Sequence, residues 1–313
     1  MRTETGIALI GYDGSEDAAA AIRRAGQLLA PRPAIVAHVW DSLAALLLHT
    51  DVRGLTGSMR EAAAELDEED RLNAERVASE GAELARDAGF DAEAHALQGK
   101  PKAWPTLLAK ADEIDAAVIV IGSRGLGSVK SALVGSVSSG LLHHTRRPVL
   151  VVPPTEAEPP TGPALIAFDG SDASHIGITA AAQLLAVREA IIETVWIPYS
   201  GVAAGGVAGA PVAVVNRASE ELDGTIASTA RQTAHDGARL AAAAGLEARA
   251  EAIETAGPVW CTLRDSAEAH GSRVIVVGAR GRGAMSATVL GSVSSALVHS
   301  AHMPILVVPP RDG

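Results

Sequence analysis

Two aspartates and two glycine-spaced loops hold most of the chemistry this chain could perform. Asp13 and Asp169 each open an Asp-Gly-Ser triplet directly after a short aliphatic run. Further on, Gly122-Ser-Arg-Gly125 is followed after nine residues by Gly135-Ser136, and Gly278-Ala-Arg-Gly281 after nine by Gly291-Ser292. Glycines so placed let a backbone turn sharply and approach a ligand with no Cβ in the way. A helix opening at Gly135-Ser136 or Gly291-Ser292 offers N–H groups and the positive end of its dipole, the usual setting for phosphate. Arg124 and Arg280 add a guanidinium that can pair with phosphate or stack on a base. An aspartate beside phosphate would contact ribose hydroxyls or a divalent ion, because a bare carboxylate repels it. The same features have a plainer reading. A strand–glycine–helix turn can be tight packing, and an aspartate before Gly-Ser can be a turn or N-cap residue.

These features come in pairs because the chain is written twice. Asp13 and Asp169, Trp40 and Trp196, Trp104 and Trp260, and Gly122 and Gly278 all lie 156 positions apart (169 − 13 for the first pair). A length of 313 residues fits two domains, at roughly 150 residues each. The boundaries read as domain 1 over 1–153, a stiff Pro-rich linker over 154–163, and domain 2 over 164–313. With 48% hydrophobic residues each half can bury a core, and with only 3% aromatics that core is built from Ala, Val, Leu and Ile. The formal charge of −11 argues against a nucleic-acid partner, which needs a basic face, but not against one bound nucleotide. No apolar run reaches the roughly 18 residues of a membrane span and the N-terminus lacks a leader pattern, so the expectation is a soluble, cytoplasmic protein with no membrane partner. The one cysteine, Cys261, permits no internal disulfide and reads as a small apolar helix residue.

The elements that must position these residues follow from the patterning. Short aliphatic runs at 7–10 and 164–168 read as first strands, followed by helices over 18–30 and 174–186. Second strands fall at 34–39 and 190–195. Long charged helices follow at about 58–88 and 216–244, ended by Gly89 and Gly245 as C-terminal caps. Third strands at 92–97 and 248–253 lead to helices around Trp104 and Trp260. The runs 118–121 and 274–277 carry the glycine loops, a helix follows, and 148–152 and 304–308 close each copy. Strands alternating with helices mean a parallel sheet covered on both faces, five strands per copy. In such a sheet a ligand sits at the carboxyl ends of the strands, where the strand order reverses. If the first and fourth strands are neighbours, Asp13 faces the loop from Gly122 to Ser136, and Asp169 the loop from Gly278 to Ser292.

Each half resembles a universal stress protein domain, and the whole chain resembles a tandem member of that family. The likeness rests on Asp13-Gly-Ser15, on His38-Val39-Trp40-Asp41, and on Gly-x2-Gly-x9-Gly-Ser. It is carried further by Leu133-Val-Gly-Ser-Val-Ser-Ser-Gly140 and the closing Pro-Val-Leu-Val-Val-Pro. The resemblance, specifically to the ATP-binding branch, implies two open α/β sandwiches of the adenine nucleotide alpha hydrolase-like kind, strand order 3-2-1-4-5. ATP would lie at the strand ends, with Mg²⁺ as an optional companion. The adenine contact would fall on Val39 and the ribose contact on Asp13, with Gly11 where the backbone approaches the nucleotide. The phosphate contacts would fall on Gly122, Arg124, Gly125, Gly135, Ser136, Val137 and Ser138. In the second copy they become Val195, Asp169, Gly278, Arg280, Gly281, Gly291, Ser292, Val293 and Ser294. The resemblance also implies pairing of the two halves through their fifth strands, and it leaves a homodimer of whole chains open.

The copies are not identical. Gly11-Tyr12 becomes Ala167-Phe168, and Gly99-Lys100-Pro101 becomes Thr255-Ala256-Gly257. The phosphate loop survives in both, so both sites are expected to bind, the first better. No Walker sequence or Gly-x-Ser-x-Gly elbow occurs, and no residue stands out as a base poised to activate water. His143, His144, His299 and His302 suit the negative end of a helix dipole better than a metal site. The expectation is a regulatory nucleotide binder in a stress response. A slow ATP hydrolase and a nucleotide-free scaffold are the alternatives.

Overall fold

A computed structural model describes residues 6–42, 57–99, 102–125, 135–154, 160–199, 212–281, 290–300 and 302–310, without the side chains of 57–61 and 212–216. The chain divides into two compact units, Met1–Glu156 and Ala157–Gly313. The first runs β1 (Ala8–Gly11), α1 (Glu16–Leu28), β2 (Pro33–Asp41), α2 (Gly57–Asp87), β3 (Asp91–Gly99), α3 (Ala103–Glu113), β4 (Val118–Gly122), α4 (Ser136–His144) and β5 (Val149–Val152). The second repeats it as β6 (Ala164–Ala167), α5 (Asp172–Leu184), β7 (Glu189–Trp196), α6 (Val212–Ala243), β8 (Glu247–Glu254), α7 (Val259–Ala269), β9 (Val274–Gly278), α8 (Ser292–Ser300) and β10 (Ile305–Val308). Every strand pairing within a unit is parallel. In the first, β1 lies between β2 and β4, with β3 outside β2 and β5 outside β4. In the second, β6 lies between β7 and β9, with β8 outside β7 and β10 outside β9.

Burial follows this order. The inner strand β4, Val-Ile-Val-Ile-Gly, is buried at every residue, as a strand covered on both faces must be. Edge strand β3 alternates between exposed and covered positions near its start. The helices after the first strands begin two residues earlier than the apolar spacing predicts, at Glu16 and Asp172 rather than 18 and 174. The cause is capping: Ser15 Oγ accepts from Ala18 N and Ser171 Oγ from Ser174 N, so the acidic first turn belongs to the helix.

A glycine in each long helix sets how closely that helix approaches the sheet. A Cβ at Gly81 would lie 2.5 Å from the Tyr12 ring and 2.8 Å from Val36 Cγ1. One at Gly237 would lie 2.7 Å from both Phe168 and Ile192. The aromatic residue pressed against each glycine directly precedes Asp13 or Asp169. The long helix therefore braces the turn on which the aspartate sits.

Candidate functional site

The chain leaves β1 towards β2 on one side, while β4 lies on the other, and the crevice at this reversal faces the carboxyl ends of the strands. A cleft of about 230 Å³ occupies it in the first unit. On one wall, the turn after β1 is carried by Gly14 at φ +85, a conformation that favours glycine. Asp13 Oδ1 accepts from Ser15 N at 3.0 Å and from Ser15 Oγ at 2.6 Å. The N-cap is thus the serine, and the aspartate is oriented by it. The second copy repeats the arrangement at Ser171 and Asp169, with 3.0 and 2.6 Å, and Gly170 at φ +76.

On the facing wall, Gly122 ends β4. A Cβ there would lie 3.0 Å from Arg124 O, so glycine allows the chain to fold back at once. A Cβ at Gly125 would fall on the Asp13 carboxylate, and one at Gly281 would lie 3.0 Å from Asp169 Oδ2. Each aspartate therefore stands directly against its glycine loop. Gly135 N donates to Ser123 O at 2.7 Å, and Gly291 N to Ala279 O at 2.7 Å, which fixes where α4 and α8 begin. No side chain caps α4, so its opening turn is presented to the cleft through the main chain. Ser138 is buried and its hydroxyl donates to Gly122 O at 2.8 Å. What Ser138 offers the cleft as a donor is its N–H. Ser294 is committed in the same way to Ala279 O and Gly291 O, both at 3.0 Å. Arg124 brings the positive charge, and its Nε is buried with no hydrogen-bond partner among the described residues.

In the first copy, then, Gly11, Asp13 and Val39 on one side, and Gly122, Arg124, Gly125 and Gly135 to Ser138 on the other, line a single cleft. Tyr12, Ala18, Ala37, His38, Ala103, Leu107 and Ile121 complete its lining. These were not anticipated from sequence. The spacing of Ala103 and Leu107, one helical turn apart on α3, was the signal that could have found that wall. Burial pushes the Tyr12 phenol up from its ordinary value, and the nearby Glu80, Asp13 and Glu16 carboxylates push the same way. His38 Nδ1 is bonded to Tyr12 O at 2.9 Å, and in the second copy Thr194 Oγ1 donates to Phe168 O at 2.8 Å. Two different side chains tie the same carbonyl. Two of the histidines beyond the loop are engaged locally: His144 bonds Gly140 O at 2.9 Å and stacks on Trp104, and His299 bonds Ser295 O at 2.7 Å. Lys100, Pro101 and most of each glycine-loop span, 126–134 and 282–289, lie outside the described residues.

A model of the Universal stress protein family matches residues 5–153 and again 161–309. The chain belongs to that family. Its match to a universal stress protein of Mycolicibacterium smegmatis is 30% identical over 202 residues, 63% of each chain. One of Mycobacterium tuberculosis is 30% identical over 217 residues, 65% of this chain and 64% of that one. The chain thus spans slightly under two thirds of these relatives' length. The crystal structure of a universal stress protein from Archaeoglobus fulgidus shares the fold, with a TM-score of 0.64, 20% identity, and coverage of 99% of this chain and 100% of that one. No described helix of this universal stress protein is long and apolar enough to cross a membrane.

Proposed function

We propose that this universal stress protein is a regulatory nucleotide binder that holds adenine nucleotide, ATP foremost, with the first copy the stronger site. The observation that carries this is Arg124 Nε, a buried donor without a partner among the described residues, beside a helix start with no side-chain cap. A buried unpaired donor costs about 1–3 kcal/mol, and an anion in the cleft relieves that cost. Gly135 points the same way. Its backbone, φ −73 and ψ 162, is open to any residue, and among the described residues a Cβ there would meet nothing nearer than Ser123 O at 3.6 Å. Neither conformation nor packing requires glycine. Its bareness leaves room for a ligand at the helix N-terminus.

The polar and apolar parts of the cleft divide the ligand accordingly. Gly11, Ala37, Val39 and Leu107 suit a base, Asp13 suits ribose hydroxyls, and Arg124 with the start of α4 suits phosphates. Mg²⁺ would arrive held mainly by the phosphates with one carboxylate, its ordinary protein mode. Among the described residues no three His, Cys, Asp or Glu side chains are grouped to hold a metal unaided. Binding is favoured over turnover because the ionisable cleft residues already have structural tasks: His38 ties Tyr12 O, and Asp13 is oriented by Ser15.

The test is thermal unfolding with and without ATP and Mg²⁺, together with chromatography of ADP over time. Ligand at 100 times its dissociation constant stabilises a site by about 2.7 kcal/mol. A raised melting temperature with negligible ADP supports the reading. Steady release of several ADP per site would make the protein a hydrolase, and no shift would leave a scaffold.

A further inference from the structure

Glu193 breaks the repeat at a position that lines the cleft in the first copy. Its counterpart 156 positions earlier is Ala37, which lines the first cleft. Side chains alternate along β7: Ile192 points to α6, where Gly237 receives it, and Glu193 points to the opposite face, against α7. There Ser266 Oγ donates to Glu193 Oε2. Glu193 is 1% exposed, and its Oε1 is buried with no partner among the described residues.

Among the described residues no cation pairs with this carboxyl. On β8 its register partner is Glu251, a second acid, already held by Arg249 at 3.3 Å and by His270 Nε2 at 3.1 Å. On the other side β6 reads Ala-Leu-Ile-Ala. From α7 the neighbour is Ser266, while Arg264 is paired with Asp265 and lies over the Trp260 ring. Helix α6 covers the other face of β7 with Ala230, Ala234 and Gly237. A carboxyl so enclosed favours its protonated form. Burial pushes Glu193 up to about 7, against the opposing Ser266 bond and with reinforcement from Glu251.

The main chain of this residue adjoins the ligand turn, as that of Ala37 does in the first copy, where Tyr12 N donates to Ala37 O at 3.0 Å. Phe168 N donates to Glu193 O at 2.8 Å, Thr194 holds Phe168 O, and the next residue is Asp169. We propose that Glu193 makes the second copy's hold on an anionic nucleotide proton-dependent: the neutral acid tolerates phosphate and ribose at the strand ends, and the ionised carboxylate opposes them. The proposal rests on the reading of both copies as nucleotide sites, and the first copy, with Ala37, lacks the device. Two negative charges separated by dry protein repel far more strongly than they would in water.

The expected size follows from the protonated fraction. Between about pH 6 and about pH 8 that fraction falls from roughly nine tenths to roughly one tenth, so a site that binds only while Glu193 is neutral weakens roughly tenfold. The experiment is calorimetric titration of the full chain with Mg²⁺-ATP at both pH values. Gly135→Ala weakens the first site so that the second is read, with and without Glu193→Gln. Titration of the nucleotide's own phosphates is common to both proteins and cancels between them. Support is a roughly tenfold pH effect in the Glu193 protein that is absent from Glu193→Gln. An equal pH effect in both, or no second-site binding in either, overturns the proposal. In those cases the unaltered chain still binding at its first site leaves the nucleotide reading standing, whereas no binding by the unaltered chain removes both.

Discussion

Replacing Glu193 by Gln should change how the second unit's stability depends on pH, whether or not anything binds. The carboxyl is lifted from its ordinary 4.5 to about 7 in the folded chain. Because the folded form then binds its proton more tightly than the unfolded form, stability from this group is present in full below about pH 4.5. It is lost as pH rises to about 7, and is constant above. The span corresponds to about 3 kcal/mol, on the order of 1.4 kcal/mol per pH unit within that window. Glutamine cannot titrate, so its buried amide adds a constant offset and no slope. The assay is hydrogen exchange by mass spectrometry on peptides covering β6, β7 and β9, corrected for intrinsic exchange and compared between the two proteins. The expected result is a difference in opening free energy that moves by about 3 kcal/mol from pH 4.5 to pH 7 in favour of Glu193→Gln. A difference that stays flat, or that moves the other way, would show that Glu193 is ionised without cost and refute the argument from burial.

Other perturbations address the scaffold and the cleft. Ser15→Ala removes the N-cap of α1 and the hydroxyl's hydrogen bond to Asp13 Oδ1, while the one from the main-chain N–H of residue 15 remains. It should cost about 1 kcal/mol in denaturant unfolding and loosen ATP binding as well, and stability lost with affinity intact would separate the cap from the site. Gly81→Ala places a methyl on Tyr12 and Val36. It should destabilise by roughly 1–3 kcal/mol, and an unchanged unfolding midpoint would contradict the close helix approach. Arg124→Met removes an Nε that is buried and without a partner among the described residues. The ligand-free protein should be no less stable, while ATP affinity falls by on the order of tenfold or more. A loss of stability without a loss of affinity would assign the arginine to the fold.

The alternation of strands and helices, the duplication and the glycine turns were legible because each leaves a local or periodic mark. The start of α1 was misjudged by two residues because the apolar spacing begins at Ala18, while the cap that defines the helix is Ser15. The roles of Gly81 and Gly237 left no mark in the local sequence. Each is a glycine inside a helix whose reason is an aromatic ring far away in the chain. Glu193 was hidden differently. One acidic residue in a run of Ala-Ile-Ile-Glu-Thr-Val looks like an ordinary strand residue until the register places it beside Glu251 and beneath Ser266. The hydroxyls of Ser138 and Ser294 show the reverse: their place in the loop motif was legible, but their commitment to backbone carbonyls was not.

The most direct measurement of the central claim is calorimetric titration of ATP with Mg²⁺ into the unaltered chain and into Gly135→Ala. Among the described residues that methyl meets no atom nearer than 3.6 Å, so the variant should keep its fold, verified by an almost unchanged melting temperature. The account predicts that the unaltered chain binds ATP, and that the variant loses first-site affinity by at least about tenfold, or 1.4 kcal/mol. Equal affinity in both proteins, or no binding by the unaltered chain, would contradict it.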